Sequence, residues 1–131
     1  MAERKKMQRP EEGVQKAGLS MLHLLYPVGI TFHIPNQRMG KILRMILAAL
    51  GVRAGMPDVG VLRPYGRIGW IEFKAPGKRN DLTDSQKELH PMMAALWHHV
   101  HIVDDITQLQ PIISEWRAED LATGKALRNA A

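Results

Sequence analysis

The sequence contains no cysteine, which excludes disulfide bonds, a thiolate nucleophile and any cysteine-ligated metal site. No apolar run approaches the length needed to span a membrane, and the charged opening MAERKKMQRPEEG lacks the apolar segment of a secretory signal. We therefore expect a protein of a reducing cytoplasm. The chain has 131 residues, 45% of them hydrophobic and 24% charged, which is the size and composition of one globular domain.

Acidic residues are scarce in the middle of the chain. Between positions 38 and 79 the acids are Asp58 and Glu72, whereas the same span holds nine basic residues: Arg38, Lys41, Arg44, Arg53, Arg63, Arg67, Lys74, Lys78 and Arg79. The formal net charge of the chain is +5. A basic field around two isolated carboxylates permits a polyanionic partner; chance clustering is the alternative explanation.

Hydrophobic periodicity predicts eight elements in the order helix–strand–helix–strand–strand–helix–strand–helix. The predicted ranges are helix 10–25, strand 30–34, helix 40–51, strands 58–62 and 69–74, helix 83–96, strand 99–103 and a short helix 104–116. This order predicts an α/β fold with a mixed sheet of about four strands flanked by helices. The domain is expected to span 10–116, between a basic flexible tail at 1–9 and a C-terminal tail at 117–131 that lacks an apolar pattern.

Two of the helices carry further local signals. The second helix, in GKILRMILAALG, is expected to bury one side and to end at Gly51. That side is lined by Leu43, Ile46, Leu47 and Leu50. In the third helix, Thr83 and Gln86 match a capping box.

The third strand, in WIEFK, holds two charged residues on one side. Because side chains alternate along a strand, Glu72 and Lys74 point opposite to Ile71 and Phe73, which belong to the core. Asp58 opens the neighbouring strand, so a hairpin brings its carboxylate towards Glu72. Two neighbouring carboxylates repel each other, and a divalent cation that prefers oxygen ligands, Mg²⁺ or Mn²⁺, would relieve this repulsion. A divalent cation beside a lysine is an arrangement suited to metal-assisted hydrolysis of a phosphodiester bond. The alternative is an ordinary salt bridge on a solvated face.

Five stretches occur together in one order. They are PEEGVQKA at 10–17, HIPNQ at 33–37, GVRAGMPDVGVL at 51–62, WIEFKAPG at 70–77 and LTDSQKELH at 82–90. This combination resembles the VRR-NUC (virus-type replication-repair nuclease) domain of the PD-(D/E)XK nuclease superfamily, over roughly residues 10–116. The resemblance implies a restriction-endonuclease-like core and Mg²⁺- or Mn²⁺-dependent DNA cleavage. It is greatest to the small standalone phage members, which are homodimers linked to cutting branched DNA such as four-way junctions, in a bacterial host or phage-infected cell.

The resemblance also implies roles for individual residues. Asp58 and Glu72 are expected to bind the metal together with the backbone carbonyl of Phe73, and Lys74 to position the attacking water. Gln86 matches the glutamine that supports the site. A glutamate of the first helix is expected near the metal. We prefer Glu11, which lies three residues before Val14 on the buried helix face, and keep Glu12 as the alternative.

The remaining predictions concern partners. Six residues are expected to contact DNA phosphates: Asn36, Arg38, Lys41, Arg44, Lys78 and Arg79. For Asn36 and Arg38 a turn residue and a surface charge are equally good explanations. Surplus apolar surface for a homodimer is expected at Met39, Ile42, Met45, Met92 and Trp97. No glycine pattern matches a phosphate-binding loop, so we expect no nucleotide cofactor, and no membrane partner.

Two alternative functions stay open at this point. The chain could be a nonspecific nuclease or nickase of linear DNA, or a non-catalytic DNA-binding module that uses the same basic surface. The histidines at 90, 98, 99 and 101 could suggest zinc, but they lack an acid or cysteine at ligand spacing, so a zinc site is not expected. His90, four residues after Gln86, could instead reach the edge of the active site.

Overall fold

The computed structural model describes residues 10–35 and 40–130. The helices are α1 Pro10–Leu25, α2 Lys41–Ala49, α3 Asp84–Ala95 and α4 Leu109–Ala130. The strands are β1 Ile30–His33, β2 Val59–Arg63, β3 Arg67–Phe73 and β4 Val100–Val103, with 3-10 turns at Pro64–Gly66 and Ile106–Gln108. The predicted order of helices and strands is confirmed. None of the helices in these ranges combines the length and apolar character needed to cross a membrane.

The four strands form one mixed sheet in the order β1-β2-β3-β4. The pairs β1–β2 and β2–β3 are antiparallel, and β3–β4 is parallel, because α3 carries the chain back across the sheet before β4 begins. Val59 at the start of β2 pairs with Ile71 near the end of β3. The residue before β2 and the residue after Ile71 therefore meet at one end of the sheet, as predicted for Asp58 and Glu72.

The two faces of the sheet bury different clusters, and the predicted alternation along β3 is confirmed. Ile71 and Phe73 pack in the larger cluster, with residues of α1 and α4 such as Leu22 and Ile113. Trp70, two residues before Glu72, packs on the other face in the smaller cluster, with residues of α3. Glu72 thus points to the face that α3 covers.

Glycines at two positions allow close approaches that shape the site. A Cβ at Gly18 would lie 2.3 Å from a ring carbon of Phe73, so this glycine lets α1 lie directly against β3. Gly55, just before β2, has φ +89°, and a Cβ there would lie 2.4 Å from the carbonyl oxygen of Ser85. It therefore lets the loop that leads to Asp58 pack on the first turn of α3.

The prediction for the buried side of α2 is wrong. None of its residues is buried: Leu43, Ile46 and Leu50 are exposed, and Leu47 is half-buried. The helix itself forms as expected, and Gly51 follows it with φ +94°. Leucine and isoleucine at helical spacing indicate an amphipathic helix, but they do not show what covers its apolar side.

The last helix is longer than expected. It continues past Trp116 to Ala130, so the prediction that this helix ends at residue 116 is wrong. Polar anchors hold this part of α4: Arg63 bonds Glu119 and Asp120, and Arg67 donates to Thr123 Oγ1. Hydrophobic periodicity does not report such contacts, which is why the pattern faded after Trp116. The domain boundaries themselves stay a prediction.

Candidate active site

Asp58 and Glu72 lie side by side at the end of the sheet where β2 begins and β3 ends. The backbone N–H of Asp58 donates to Glu72 Oε2 at 3.1 Å, and the backbone N–H of Phe73 donates to Asp58 Oδ2 at 2.9 Å. Both acids are buried, with 6% and 2% of their surface exposed. The hairpin register therefore fixes two carboxylates that water does not reach freely.

Gln86 connects the strands to the first turn of α3. It completes the predicted capping box, because Thr83 Oγ1 accepts from the Gln86 backbone N–H at 3.2 Å and Gln86 Oε1 accepts from the Thr83 N–H at 3.0 Å. The same Oε1 accepts from Lys74 Nζ at 2.9 Å, while Nε2 donates to Glu72 Oε1 at 2.7 Å. Lys74 Nζ lies 3.6 Å from that Glu72 oxygen. One amide thus orients both Glu72 and Lys74.

A third carboxylate approaches from the first turn of α1. Glu11, Asp58 and Glu72 each offer an oxygen, and these three oxygens lie within 4.8 Å of one another. Glu12 lines the same cavity, whose volume is about 510 Å³, but is not part of the three-carboxylate group. The geometry therefore places the preferred first-helix glutamate, and not its neighbour, beside the two buried acids.

The protonation behaviour of the buried acids fits a cation site. Burial, followed by the charge of Asp58, raises the pKa of Glu72 to about 8, although Lys74 and Gln86 act in the opposite direction. Burial also raises the pKa of Asp58. A divalent cation would favour the ionised form of both acids, and three carboxylates form a hard oxygen set that suits Mg²⁺ or Mn²⁺. The residues present therefore fit such an ion.

Sequence reasoning assigned no role to His33 and Gln15, which also line the cavity. His33 Nδ1 lies 2.9 Å from the Asp58 carbonyl oxygen and 3.1 Å from Gln15 Nε2. His33 pairs with Val59 in the sheet, so it stands next to Asp58 on the adjoining strand. The β1–β2 register, which the sequence alone does not fix, was the missing information.

The predicted DNA contacts occupy different parts of the surface. Lys41 and Arg44 are exposed on α2, and Lys78 and Arg79 are exposed in the loop after β3, where Lys78 lines the cavity. Asn36 and Arg38, like the apolar Met39, lie outside the described residues. Their expected roles stay predictions.

The histidines take structural positions. His90 Nε2 lies 3.2 Å from the Gly55 carbonyl oxygen, so its ring ties α3 to the loop before β2. Within residues 10–35 and 40–130, the group of metal-ligating side chains that meets is the three carboxylates, and it contains no histidine. Trp70, buried beneath α3, donates its indole N–H to His98 Nδ1 at 3.1 Å.

Comparison with known proteins gives a consistent result. No family model matches the chain. Over 64 residues, or 47% of this chain and 67% of the other, it is 36% identical to "Putative nuclease p44" of Acyrthosiphon pisum secondary endosymbiont phage 1. Two solved structures, described as "VRR_NUC domain" and "VRR_NUC domain protein", share its fold with TM-scores of 0.57 and 0.63.

Each of these solved structures is 21% identical in sequence and covers 83% of this chain, which spans 99% and 88% of them respectively. The fold is therefore that of VRR-NUC domains, with a four-stranded mixed sheet flanked by helices. Together with the phage relative, it shows that the chain belongs to the VRR-NUC domain family.

Proposed function

We propose that this protein is a DNA endonuclease that hydrolyses phosphodiester bonds with Mg²⁺ or Mn²⁺. The observation that supports this function best is the cluster of Asp58, Glu72 and Glu11 around a cavity that also holds Lys74. Lys74 lies within salt-bridge distance of Glu72, and the other lysine that lines the cavity, Lys78, is exposed, so buried cations do not balance the charge of three ionised acids. Such a cluster is costly for a purely structural role, whereas a cation-dependent hydrolase needs it.

The chain's own residues would divide the work. Glu11, Asp58 and Glu72, with the carbonyl of Phe73, would hold the cation. When bound, the cation would neutralise charge at the scissile phosphate. Lys74, held by Gln86 and Glu72, would orient the attacking water through Nζ and offset charge on the phosphate. The Phe73 N–H holds the Asp58 carboxylate in one orientation, so that the acids need not rearrange during turnover.

Cleavage assays with paired variants test this function. Purified protein is incubated with linear duplex and four-way junction DNA in Mg²⁺, Mn²⁺ or EDTA. Asp58→Asn, Glu72→Gln and Lys74→Met should each lower the cleavage rate by about a thousandfold, equivalent to several kcal/mol of transition-state stabilisation. DNA affinity should largely survive, because the phosphate contacts come from other residues.

The first turn of α1 provides a matched control. Glu11→Gln should impair cleavage and weaken the dependence on added metal, whereas Glu12→Gln should behave as the wild type, because its carboxylate is not part of the three-carboxylate group. Near-normal turnover in any of the variants at Asp58, Glu72 and Lys74, or DNA cleavage that persists in EDTA, would show that the chemistry occurs elsewhere. Binding without any metal-dependent cut would indicate a non-catalytic DNA-binding module.

We further propose that the substrate is branched DNA and that the active form is a homodimer. Symmetric cutting of a four-way junction requires two strands to be cleaved, most simply by two copies related by a two-fold axis. The apolar side of α2 supports the dimer, because it is exposed: Ile42 is 76%, Ile46 51% and Leu50 77% exposed. A second copy of α2 would cover this side, while Lys41 lies on the opposite side of the helix and is exposed.

Light scattering at micromolar concentration tests the dimer. Ile42→Glu with Ile46→Glu should convert it to a monomer, while Lys41→Gln, on the basic side of α2, should not change the mass. A wild-type mass near 14.8 kDa, together with paired junction cuts at the same concentration, would contradict a preformed dimer. Equal cutting of linear duplex and junction would instead indicate a nonspecific nuclease or nickase.

A further inference from the structure

Trp97 occupies a position that is unusual for tryptophan. It follows the end of α3 with φ +68°. The Trp97 N–H donates to the Ala94 carbonyl and the His98 N–H to the Met93 carbonyl, both at 2.9 Å. This pattern is the Schellman motif, in which glycine is the usual residue because a Cβ disfavours positive φ. The sequence thus places its largest side chain where the backbone prefers none.

The Trp97 ring contributes little to the core. It is 95% exposed, whereas Trp70 and Trp116 are 8% and 3% exposed. An exposed indole in an unfavourable backbone conformation has no evident benefit for folding. A contact between the indole ring and another molecule would account for tryptophan at this position.

A cavity of about 530 Å³ adjoins Trp97, within the usual size range of small-ligand sites. It lies at the turn end of the β2–β3 hairpin and is lined by Arg67, Trp97, His98, His99, His101 and Trp116, among others. The rings of His99 and His101 are in contact, and their centroids lie 4.4 Å apart. The centroids of the His101 and Trp116 rings lie 6.0 Å apart. Aromatic rings therefore continue from the surface into the cavity wall.

The polar groups of this cavity favour a nucleotide over a second protein surface. Because Trp70 donates to His98 Nδ1, neutral His98 carries its proton on Nε2, which is then a donor. Arg67 has a side chain that is 39% exposed and lies 3.8 Å from Glu119, which lines the cavity together with Glu115. The cores of protein interfaces are depleted of charged residues. The aliphatic side of α2 fits that description, and this cavity does not.

We propose that the Trp97 cavity binds an unpaired nucleotide of the DNA substrate. The base stacks on the Trp97 indole, as bases do on exposed aromatic side chains. Arg67 and His98 lie beside it to contact the phosphate or the polar edge of the base. This inference rests on the proposed nuclease function and supplies a physical basis for selecting branched DNA, since base pairs at a branch point lose a stacking neighbour and open more readily than those in continuous duplex.

Two elements set the separation between this cavity and the catalytic acids. Along α3, the rise of 1.5 Å per residue places Trp97 about 17 Å from Gln86. Along β3, the rise of 3.3 Å per residue places Arg67 about 17 Å from Glu72. At 3.4 Å per base pair, this separation corresponds to about five base pairs of duplex. The unpaired nucleotide should therefore lie about five base pairs from the bond that is cut.

Binding assays test the site without cleavage. In the Asp58→Asn background, tryptophan fluorescence is titrated with a duplex that carries one unpaired nucleotide and with the same duplex fully paired. The unpaired nucleotide should quench the exposed Trp97 and protect it from acrylamide, and the paired duplex should do neither. Equal quenching by both DNAs, or no quenching by either, would overturn the proposal.

Variants at Trp97 complete the test. Trp97→Gly relieves the backbone and should leave thermal stability equal or higher, yet lower the affinity for the DNA with the unpaired nucleotide by about tenfold and scatter the cleavage positions. Trp97→Phe should keep most of the preference, and Leu24→Ala, at an exposed residue of α1 that does not line the cavity, all of it. If Trp97→Gly turned a dimer into a monomer, Trp97 would belong to the contact between copies and the proposal would be wrong. Absence of metal-dependent cutting by the wild type on every DNA would instead contradict the proposed function alone, because the fluorescence assay measures binding.

Discussion

The two ends of the β2–β3 hairpin both contain buried charge, but the charges are balanced at only one of them. At the turn end, Arg63 has a side chain that is 5% exposed and lies 2.9 Å from Glu119 and 3.0 Å from Asp120. At the other end, the carboxylates of Glu11, Asp58 and Glu72 meet, and Lys74 is the cation within salt-bridge distance of Glu72. A buried charge alone therefore does not indicate an active site; the uncompensated group of acids is what distinguishes the candidate site from the turn end.

The hydrogen bonds differ in the same way. At the turn end Arg63 bonds to the carboxylates of Glu119 and Asp120 and to the carbonyl oxygen of Trp116, which stabilises the packing of α4 on the sheet. At the catalytic end, Gln86 bonds to an acid and to a lysine at once. We expect variants at the catalytic end to affect turnover and variants at the turn end to affect stability.

Among residues that support the site without binding the cation themselves, the largest effect should follow from replacing Gln86. Gln86→Leu removes both bonds that orient Glu72 and Lys74, so cleavage should fall by about 10- to 100-fold, as for other residues that support metal ligands. Metal affinity, measured by titration calorimetry, should fall with it. Thr83→Ala, which removes the N-cap oxygen but keeps the Gln86 side chain, is the matched control and should lower stability more than turnover. A fully active Gln86→Leu would leave the amide as a helix cap only.

Replacing Arg63 should give the opposite result. Arg63→Met removes the partner of Glu119 and Asp120 and the stacking of the guanidinium on Trp116, whose centroid lies 4.9 Å away. Because both acids are partly exposed, we expect a loss of about 2 kcal/mol, below the cost for a fully buried pair, in urea unfolding. The cleavage rate on linear DNA should change less than twofold. Arg53→Met, at an exposed arginine outside this network, should leave stability nearly unchanged.

The two ends should also respond to pH in opposite directions when a chelator removes metal ions. Burial and then Asp58 raise the pKa of Glu72 from 4.5 to about 8, so the folded state binds this proton more tightly than the unfolded state. Stability contributed at low pH is then lost as pH rises from about 4.5 to about 8. Glu72→Gln should reduce this decline, because Asp58, whose pKa burial also raises, contributes to it in the same direction, and Mg²⁺ should reverse it in the wild type.

At the turn end, burial and then the charge of His99 lower the pKa of His101 from 6.5 to about 4, Glu119 opposes this shift, and Arg63 adds to it. Here the unfolded state binds the proton more tightly, so stability present above pH 6.5 is lost as pH falls towards 4. His101→Asn should remove that loss. Thermal unfolding between about pH 4 and 9 measures how stability changes with pH on both sides of the curve. If Glu72→Gln and His101→Asn flattened the same side of this curve, the assignment of the two slopes to these residues would be wrong.

Sequence reasoning predicted the catalytic end far better than the turn end, for physical reasons. Glu72 and Lys74 share a side because strands alternate, and Gln86 is fixed by a capping box; both are local rules. The Arg63 ion pairs join residues 56 and 57 positions apart, and no local pattern encodes them. The exposure of Leu43, Ile46 and Leu50 on α2 was equally inaccessible, because periodicity predicts a helix without predicting its partner. The exposure of Trp97 was expected, but no local pattern predicted its positive φ.

The smallest effect should come from the exposed basic residues. Lys78 and Arg79 are exposed in the loop after β3, and Lys41 and Arg44 on α2. Each lost phosphate contact should lower the slope of log K against log salt by about 0.9 on duplex DNA. Lys78→Gln with Arg79→Gln should therefore reduce the slope by about 1.8 and leave the rate at saturating DNA unchanged. Lys125→Gln with Arg128→Gln, at exposed residues of α4 beyond the hairpin turn, removes the same charge and should reduce the slope much less. If both pairs reduced it equally, net charge would account for DNA affinity, and the basic residues around the catalytic cavity would have no special position on the DNA.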